Sequence, residues 1–279
     1  MKRKVAVVGI GIMGRGIADN FIKNGYEVFV WNRNADKAAS LKGAIVVKSP
    51  KAAAEEIDIV FEVTANDESS RAVWLGDDGI LAGAKPGQFL IASATLSVDW
   101  VEELAAECAK KGLVFFDMPL TGGRNGAETG QLVLLAGGDE KQLENIKPEL
   151  KAISKNVRYF GPAGSGIKYK LILNTFQGII LLGFGEAMKM AEEAGLNEDL
   201  VGESLAEIPG GYTVNMSWNS HKDEHKKVNF SARWEDKDLN YAKKMTPKGH
   251  YPMRDKAVEK FDKAVEQGLG ENDWTIVNQ

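Results

Sequence analysis

An apolar, strand-like run, Lys4–Val8, leads directly into Gly9-Ile10-Gly11-Ile12-Met13-Gly14, and an amphipathic stretch, Met13–Asn24, follows without a break. A G-x-G-x-x-G run is weak as an isolated pattern. Between a strand and a helix it predicts the first βα turn of a parallel sheet that binds a dinucleotide. Gly9 permits the tight turn, Gly11 lets the backbone approach a pyrophosphate, and Gly14 allows the helix to pack on the strand. The unpaired N–H groups at the start of that helix suit the anion. Gly9, Gly11, Ile12, Met13 and Gly14 are therefore assigned to a dinucleotide.

Further along, short apolar or β-branched segments recur at Val5–Val8, Val28–Trp31, Ala44–Val47, Ile57–Phe61, Phe89–Ala92, Val114–Asp117, Leu132–Ala136 and Val157–Phe160. Amphipathic stretches such as Val98–Lys111 separate most of them. Alternation of this kind predicts an α/β fold, a doubly wound Rossmann sheet with helices on both faces. The later segments are joined too closely for crossover helices, so some antiparallel pairing is expected at that edge. After Gly166 the strand signal stops, and helical patterns occupy Lys168–Ala194, Asn197–Glu207, Ala232–Met245 and Pro252–Gln267. Two domains are expected, residues 1–163 and an all-helical part, residues 164–279.

Composition narrows the function classes. With 44% hydrophobic and 27% charged residues the chain reads as a soluble globular protein. A formal net charge of −4 removes the electrostatic basis for general nucleic-acid binding. The longest apolar stretch, Leu171–Met188, is interrupted by Asn174, Gln177 and Glu186, so a buried helix is expected there and no membrane span. The basic start Met1-Lys-Arg-Lys superficially resembles a signal peptide, but the apolar run after it contains Gly9 and Gly11 and reads better as a strand. Cys108 is the one cysteine; it fits a reducing cytoplasm and reads as a small buried hydrophobe.

An acid at the end of the second strand would accept bonds from a ribose 2′-hydroxyl and favour NAD. This chain has Trp31-Asn32-Arg33-Asn34 there, with Lys37 one turn later. Arg33 can grip a 2′-phosphate through charge-assisted bonds. NADP is expected ahead of NAD, with Asn32, Arg33, Asn34 and Lys37 on the cofactor.

Three more segments gain meaning only together. Asp117-Met-Pro-Leu-Thr121-Gly122-Gly123-Arg-Asn-Gly126-Ala-Glu-Thr-Gly130 reads as a glycine-rich loop leaving a strand, whose successive N–H groups can form a nest for a carboxylate. Gly164-Ser-Gly166-Ile-Lys168-Tyr-Lys170 runs on to Asn174, and Lys170 and Asn174, four apart, share a helix face. A lysine withdrawn from water can exchange protons near neutrality. The third segment is Phe230-Ser-Ala-Arg-Trp-Glu-Asp-Lys237-Asp238-Leu239.

With the opening G-x-G-x-M-G and the ending Gly268-Leu-Gly-Glu-Asn-Asp273, these segments resemble the β-hydroxyacid dehydrogenase family over essentially the whole chain. That family includes 3-hydroxyisobutyrate dehydrogenase and the glyoxylate/succinic semialdehyde reductases. The resemblance implies an oxidoreductase acting on a small carboxylate-bearing hydroxyacid or aldehyde acid, with a C-terminal part like that of 6-phosphogluconate dehydrogenase. Lys170 would be the catalytic acid/base and Asn174 its positioning partner. Thr121, Gly122 and Gly123 would hold the substrate carboxylate, and Thr95 would sit beside substrate and nicotinamide. Val63, Thr64 and Ala65 would line the dinucleotide, with Phe230 and Lys237 contacting it from the helical part. A homodimer or homotetramer is implied as well. Thr121 replaces the family's usual serine, and Leu173 stands where many members place asparagine.

Other readings compete. Imine reductases share this architecture but usually lack the lysine, and so do non-catalytic dinucleotide-binding modules of this fold. His221-Lys-Asp-Glu224-His225 fits a zinc-peptidase pattern, H-x-x-E-H. Its dense charge reads instead as an exposed surface, and no metal is expected.

Overall fold

All four side chains of Val5–Val8 are buried. A strand with no polar face belongs in the interior of a sheet covered on both sides. In the computed structural model, which describes residues 2–55, 57–207, 212–222, 228–247 and 250–278, this strand is β1 of a nine-stranded sheet. The others are β2 (Val28–Trp31), β3 (Ile45–Val46), β4 (Ile59–Glu62), β5 (Phe89–Ala92), β6 (Val114–Asp117), β7 (Leu120–Thr121), β8 (Leu132–Gly138) and β9 (Ser154–Gly161). Their order is β3-β2-β1-β4-β5-β6-β8-β7, with β9 beside β8. From β3 to β6 every pairing is parallel, and the order reverses at β1. β8 runs antiparallel to β6 and β7, the edge at which such pairing was expected. β9 returns parallel to β8.

Crossover helices α1 (Ile12–Lys23), α2 (Ala35–Ala39), α3 (Asp67–Trp74), α4 (Ile80–Gly83) and α5 (Val98–Lys110) join the parallel strands. Shorter helices α6 (Gly123–Thr129), α7 (Glu140–Glu144) and α8 (Lys147–Leu150) serve the later ones. One core lies where Ile17 and Phe21 of α1 and Ala127 of α6 meet Ile59, Phe61 and Phe116 of the sheet. Asn20 ties the two helices, its amide donating to the carbonyls of Gly16 and Ala127 at 2.7 Å each. Across the chain's other apolar helix faces, Trp74, Trp100, Leu104 and Cys108 are fully buried. Burial pushes the Cys108 thiol up to about 12.

The contacts divide the chain into two units, Met1–Lys170 and Leu171–Gln279. The division falls inside α9 (Ser165–Glu193). The second unit continues with α10 (Glu198–Glu207), α11 (Tyr212–Lys222), α12 (Ala232–Met245), α13 (Pro252–Glu266) and a 3₁₀ turn at Trp274–Asn278. Leu181, Leu239, Phe261 and Trp274 are among its core residues. Among the described residues α9 alone is long and apolar enough to cross a membrane. Leu171, Leu181, Phe184 and Met188 on it are buried, whereas Ile172, Phe176 and Met190 are exposed.

Candidate active site

Because β1, β2, β4, β5 and β6 are parallel, the segments that leave their C-terminal ends share one edge of the sheet. The glycine loop, Asn32, Val63, the stretch before Thr95 and Asp117 all lie along it. In open α/β sheets this edge, at the point where strand order reverses, is where ligands bind.

The three motif glycines answer to different demands. A Cβ on Gly9, which has a φ of 104°, would stand 2.4 Å from the Val63 carbonyl oxygen. One on Gly14 would stand 1.9 Å from the Gly9 oxygen. A Cβ on Gly11 would meet nothing within 4 Å. Gly9 and Gly14 are thus required by the protein's own packing, while Gly11 leaves open space against the backbone. Gly11 is the N-cap of α1 and gives no side-chain cap, and the first turn carries no acid. A pyrophosphate fits both the space and the uncapped N–H groups.

At the end of β2, Asn32 accepts a bond from the Ile10 N–H at 2.8 Å and donates to the Asn34 carbonyl at 2.9 Å. Asn34 caps α2 by accepting from Asp36 N–H at 3.0 Å. These asparagines hold the backbone, while Arg33 and Lys37 are exposed beside them. Arg15, which the sequence did not single out, donates to the Lys37 carbonyl at 3.0 Å and also bonds Ser40.

Two acids organise the next loops, and neither was foreseen. Glu62, fully buried at the end of β4, accepts from the N–H of Thr64 at 2.8 Å and from its hydroxyl. Asp67 accepts from the Ser97 N–H at 2.9 Å and from the Ser97 hydroxyl at 2.5 Å. It thereby ties the loop carrying Val63, Thr64 and Ala65 to the one carrying Thr95. Polarity beside an apolar strand is the signal both leave in the sequence, and for Asp67 it does not reveal a partner 30 residues away.

The stretch read as a glycine-rich loop has regular structure instead. Thr121 lies in β7 opposite Val133 of β8. Gly122 and Gly123 follow with φ of 117° and 58°, and α6 begins at once. Glycine here supplies two left-handed residues that turn a strand into a helix. Thr121 is half-buried and both glycines are exposed.

Asp117 ends β6 and receives the start of α9: its carboxylate accepts from the N–H groups of Gly164 and Ile167, both at 2.7 Å. Burial raises this carboxyl to about 6, against the pull of those bonds. Lys168 pairs with Glu102 at 2.8 Å, and Lys170 is half-buried.

In the second unit Asn174, 3% exposed, donates to Asp238 Oδ2 at 2.5 Å. Lys237 Nζ lies 2.9 Å from Asp238 Oδ1 and over the rings of Trp234 and Tyr241. Two residues chosen from sequence therefore meet on one carboxylate that was not, although it stands next to Lys237 in the chain. Phe230 packs edge-on against Trp274, and its carbonyl accepts from the Trp274 N–H at 2.8 Å. Asp273 is fully buried behind it and accepts from the Asn229 N–H at 2.8 Å. Of the His221–His225 segment, residues 223–225 lie outside the described residues. Among the described residues no group of three or more His, Cys, Asp or Glu is placed to hold a metal.

The family described as the NAD binding domain of 6-phosphogluconate dehydrogenase matches residues 4–161. An uncharacterised oxidoreductase of Shewanella frigidimarina is 32% identical over 86% of this chain and 84% of its own length. The NAD-dependent L-serine dehydrogenase of Pseudomonas aeruginosa is 27% identical over 99% of this chain and 97% of its own. The structure of a 3-hydroxyisobutyrate dehydrogenase from Mycobacterium tuberculosis with L-serine superposes with a TM-score of 0.90 at 25% identity, covering 100% of this chain and 98% of that one.

Proposed function

The chain belongs to the β-hydroxyacid dehydrogenase family, and on that premise we propose that it moves a hydride between NADP(H) and the carbinol or carbonyl carbon of a small β-hydroxyacid or aldehyde acid. The observation that carries the reading is Lys170, placed in the first turns of a helix whose start is bonded to the ligand-binding edge of the sheet.

The dinucleotide, when bound, supplies or accepts the hydride. In the reducing direction Lys170 Nζ gives a proton to the oxygen of the carbonyl as that oxygen gains charge, and in the oxidising direction it takes the proton back. Asn174, one turn further along α9, orients the reacting oxygen. Thr121, Gly122 and Gly123 hold the distal carboxylate, and Thr95 borders the reacting carbon. Val63, Thr64 and Ala65 contact the dinucleotide. The preference for NADP is supported by Arg33, exposed just past β2, and Lys37, exposed on α2, with no acid directly after the strand. A homodimer or homotetramer completes the proposal, supported by Ile172 and Phe176 exposed on one face of α9.

A panel of small hydroxyacids and aldehyde acids, L-serine and 3-hydroxyisobutyrate included, assayed with both cofactors tests the reading. Turnover that is better with NADH than with NADPH would overturn the cofactor assignment. General acid catalysis contributes about 100- to 10,000-fold, so Lys170→Ala should lose turnover in that range while the dinucleotide still binds. Lys168→Ala, which removes only an exposed pair with Glu102, should stay near wild type. Near-normal turnover in folded Lys170→Ala protein would sink the assignment.

A further inference from the structure

Asp117 is a carboxylate at the end of an apolar strand, 1% exposed. Both of its oxygens are taken up by the start of α9. Oδ1 accepts from Gly164 N–H and Oδ2 from Ile167 N–H, each at 2.7 Å. The surroundings leave no slack. A Cβ on Gly137, its partner across the β6–β8 ladder, would stand 2.4 Å from Asp117 Oδ1. A Cβ on Gly166 would stand 2.2 Å from the Leu135 carbonyl oxygen and 3.0 Å from Asp117 Oδ2. Strand and helix are pressed together through this one carboxylate.

Charge-assisted bonds from backbone N–H groups are short and directional, and in apolar surroundings they are not traded against water. Ile167 and Lys170 are three residues apart and so lie one above the other on the helix. Whatever fixes the Ile167 N–H therefore fixes the origin of the Lys170 side chain.

We propose that Asp117 is a positioning residue for Lys170: through the N–H groups of Gly164 and Ile167 it sets the height and rotation of the first turn of α9, and with them the reach of Lys170 Nζ. The inference rests on Lys170 being the acid/base. A displacement of about 1 Å in a reacting group costs on the order of 100-fold in rate, so a loosened first turn has kinetic consequences well before it unfolds anything. Asp117 itself touches neither substrate nor cofactor in this account.

The test is a double-mutant cycle on the full chain: wild type, Asp117→Asn, Lys170→Ala and the double variant. Each is assayed for kcat and KM on the best substrate of the panel, with dinucleotide affinity by fluorescence and folding by circular dichroism. Asp117→Asn keeps the volume and one acceptor but turns an amide NH₂ toward a backbone donor. It should lower kcat about 10- to 100-fold, leave dinucleotide affinity unchanged, and cost nothing more once Lys170 is alanine. If Asp117→Asn does not fold, Asp117→Ser, with one acceptor in less volume, replaces it. Unchanged kcat, or an equal loss in both backgrounds, overturns the proposal, and so does failure of both variants to fold, which would make Asp117 a scaffold residue. The Lys170→Ala arm is read first: if it keeps wild-type turnover, the acid/base reading has failed on its own account, whatever Asp117 does.

Discussion

Gly11 and Gly14 stand in one motif, yet substituting them should have opposite consequences. Gly11 has a φ of −79°, which any residue adopts, and an added methyl would meet no protein atom. Gly11→Ala should leave stability within about 1 kcal/mol of wild type, because the freedom lost by the unfolded chain offsets alanine's poorer fit at a helix N-cap. The same methyl would fill the space assigned to the pyrophosphate, so dinucleotide affinity should fall sharply. Gly14→Ala forces a methyl onto the Gly9 carbonyl and should cost about 1–3 kcal/mol of stability, as overpacking does. Thermal unfolding and dinucleotide titration of both variants check the pair; weak binding without destabilisation in Gly14→Ala would contradict the packing argument. This loop was legible because its chemistry is in the backbone and its residues are consecutive. Asp67 and Asp238 were not, since each acquires its role from a partner that folding brings near, and Glu62 was not because an acid at the end of an apolar strand gives no sign that it turns back onto Thr64 two residues on. Lys237 was chosen, while Asp238 beside it, bonded to Asn174 across 64 residues, was not.

Among the elements, strands β1, β2, β5 and β6 lie where the apolar runs place them, and so do α1 and α5, because burial on both faces leaves an unbroken apolar run and burial on one face a clear period. Helix α6 left none. Its sequence, Gly123-Arg-Asn-Gly-Ala-Glu-Thr129, is poor in helix formers, and tertiary contact holds it: Ala127 packs within 2.6 Å of where a Gly16 Cβ would stand. Asn20 is the polar part of that contact. Asn20→Ala would strand the Ala127 carbonyl in the core, a loss of about 1–3 kcal/mol. Urea unfolding should show that loss, and a variant as stable as wild type would mean that apolar packing alone carries α6. The two-residue β7 and helix α11 also escaped notice, the first for its length and the second for its mixed composition.

For the molecule as a whole, Asp117 ties stability to pH in an unusual direction for an acid. Its folded value of about 6 lies above the ordinary 3.8, so folding favours the protonated form. The resulting stabilisation is complete below the ordinary value and disappears as pH rises through the folded one. It amounts to about 3 kcal/mol at most. Urea unfolding of wild type and Asp117→Asn at several pH values should show the difference between them shrinking against wild type from pH about 4 to about 7. A constant difference would mean that the carboxyl titrates normally. The chain also carries its own opening gauge. Cys108 is sealed on the buried face of α5 with its thiol pushed to about 12, and only a thiolate reacts with alkylating reagents. Labelling can therefore proceed only from molecules in which that packing has momentarily come apart, and its rate counts them. Ligand bound solely to the closed form at about 100 times its Kd removes about 2.7 kcal/mol worth of openings, a slowing on the order of 100-fold. A thiol with no part in the chemistry would thus report dinucleotide binding without any turnover, in every variant that has lost its activity.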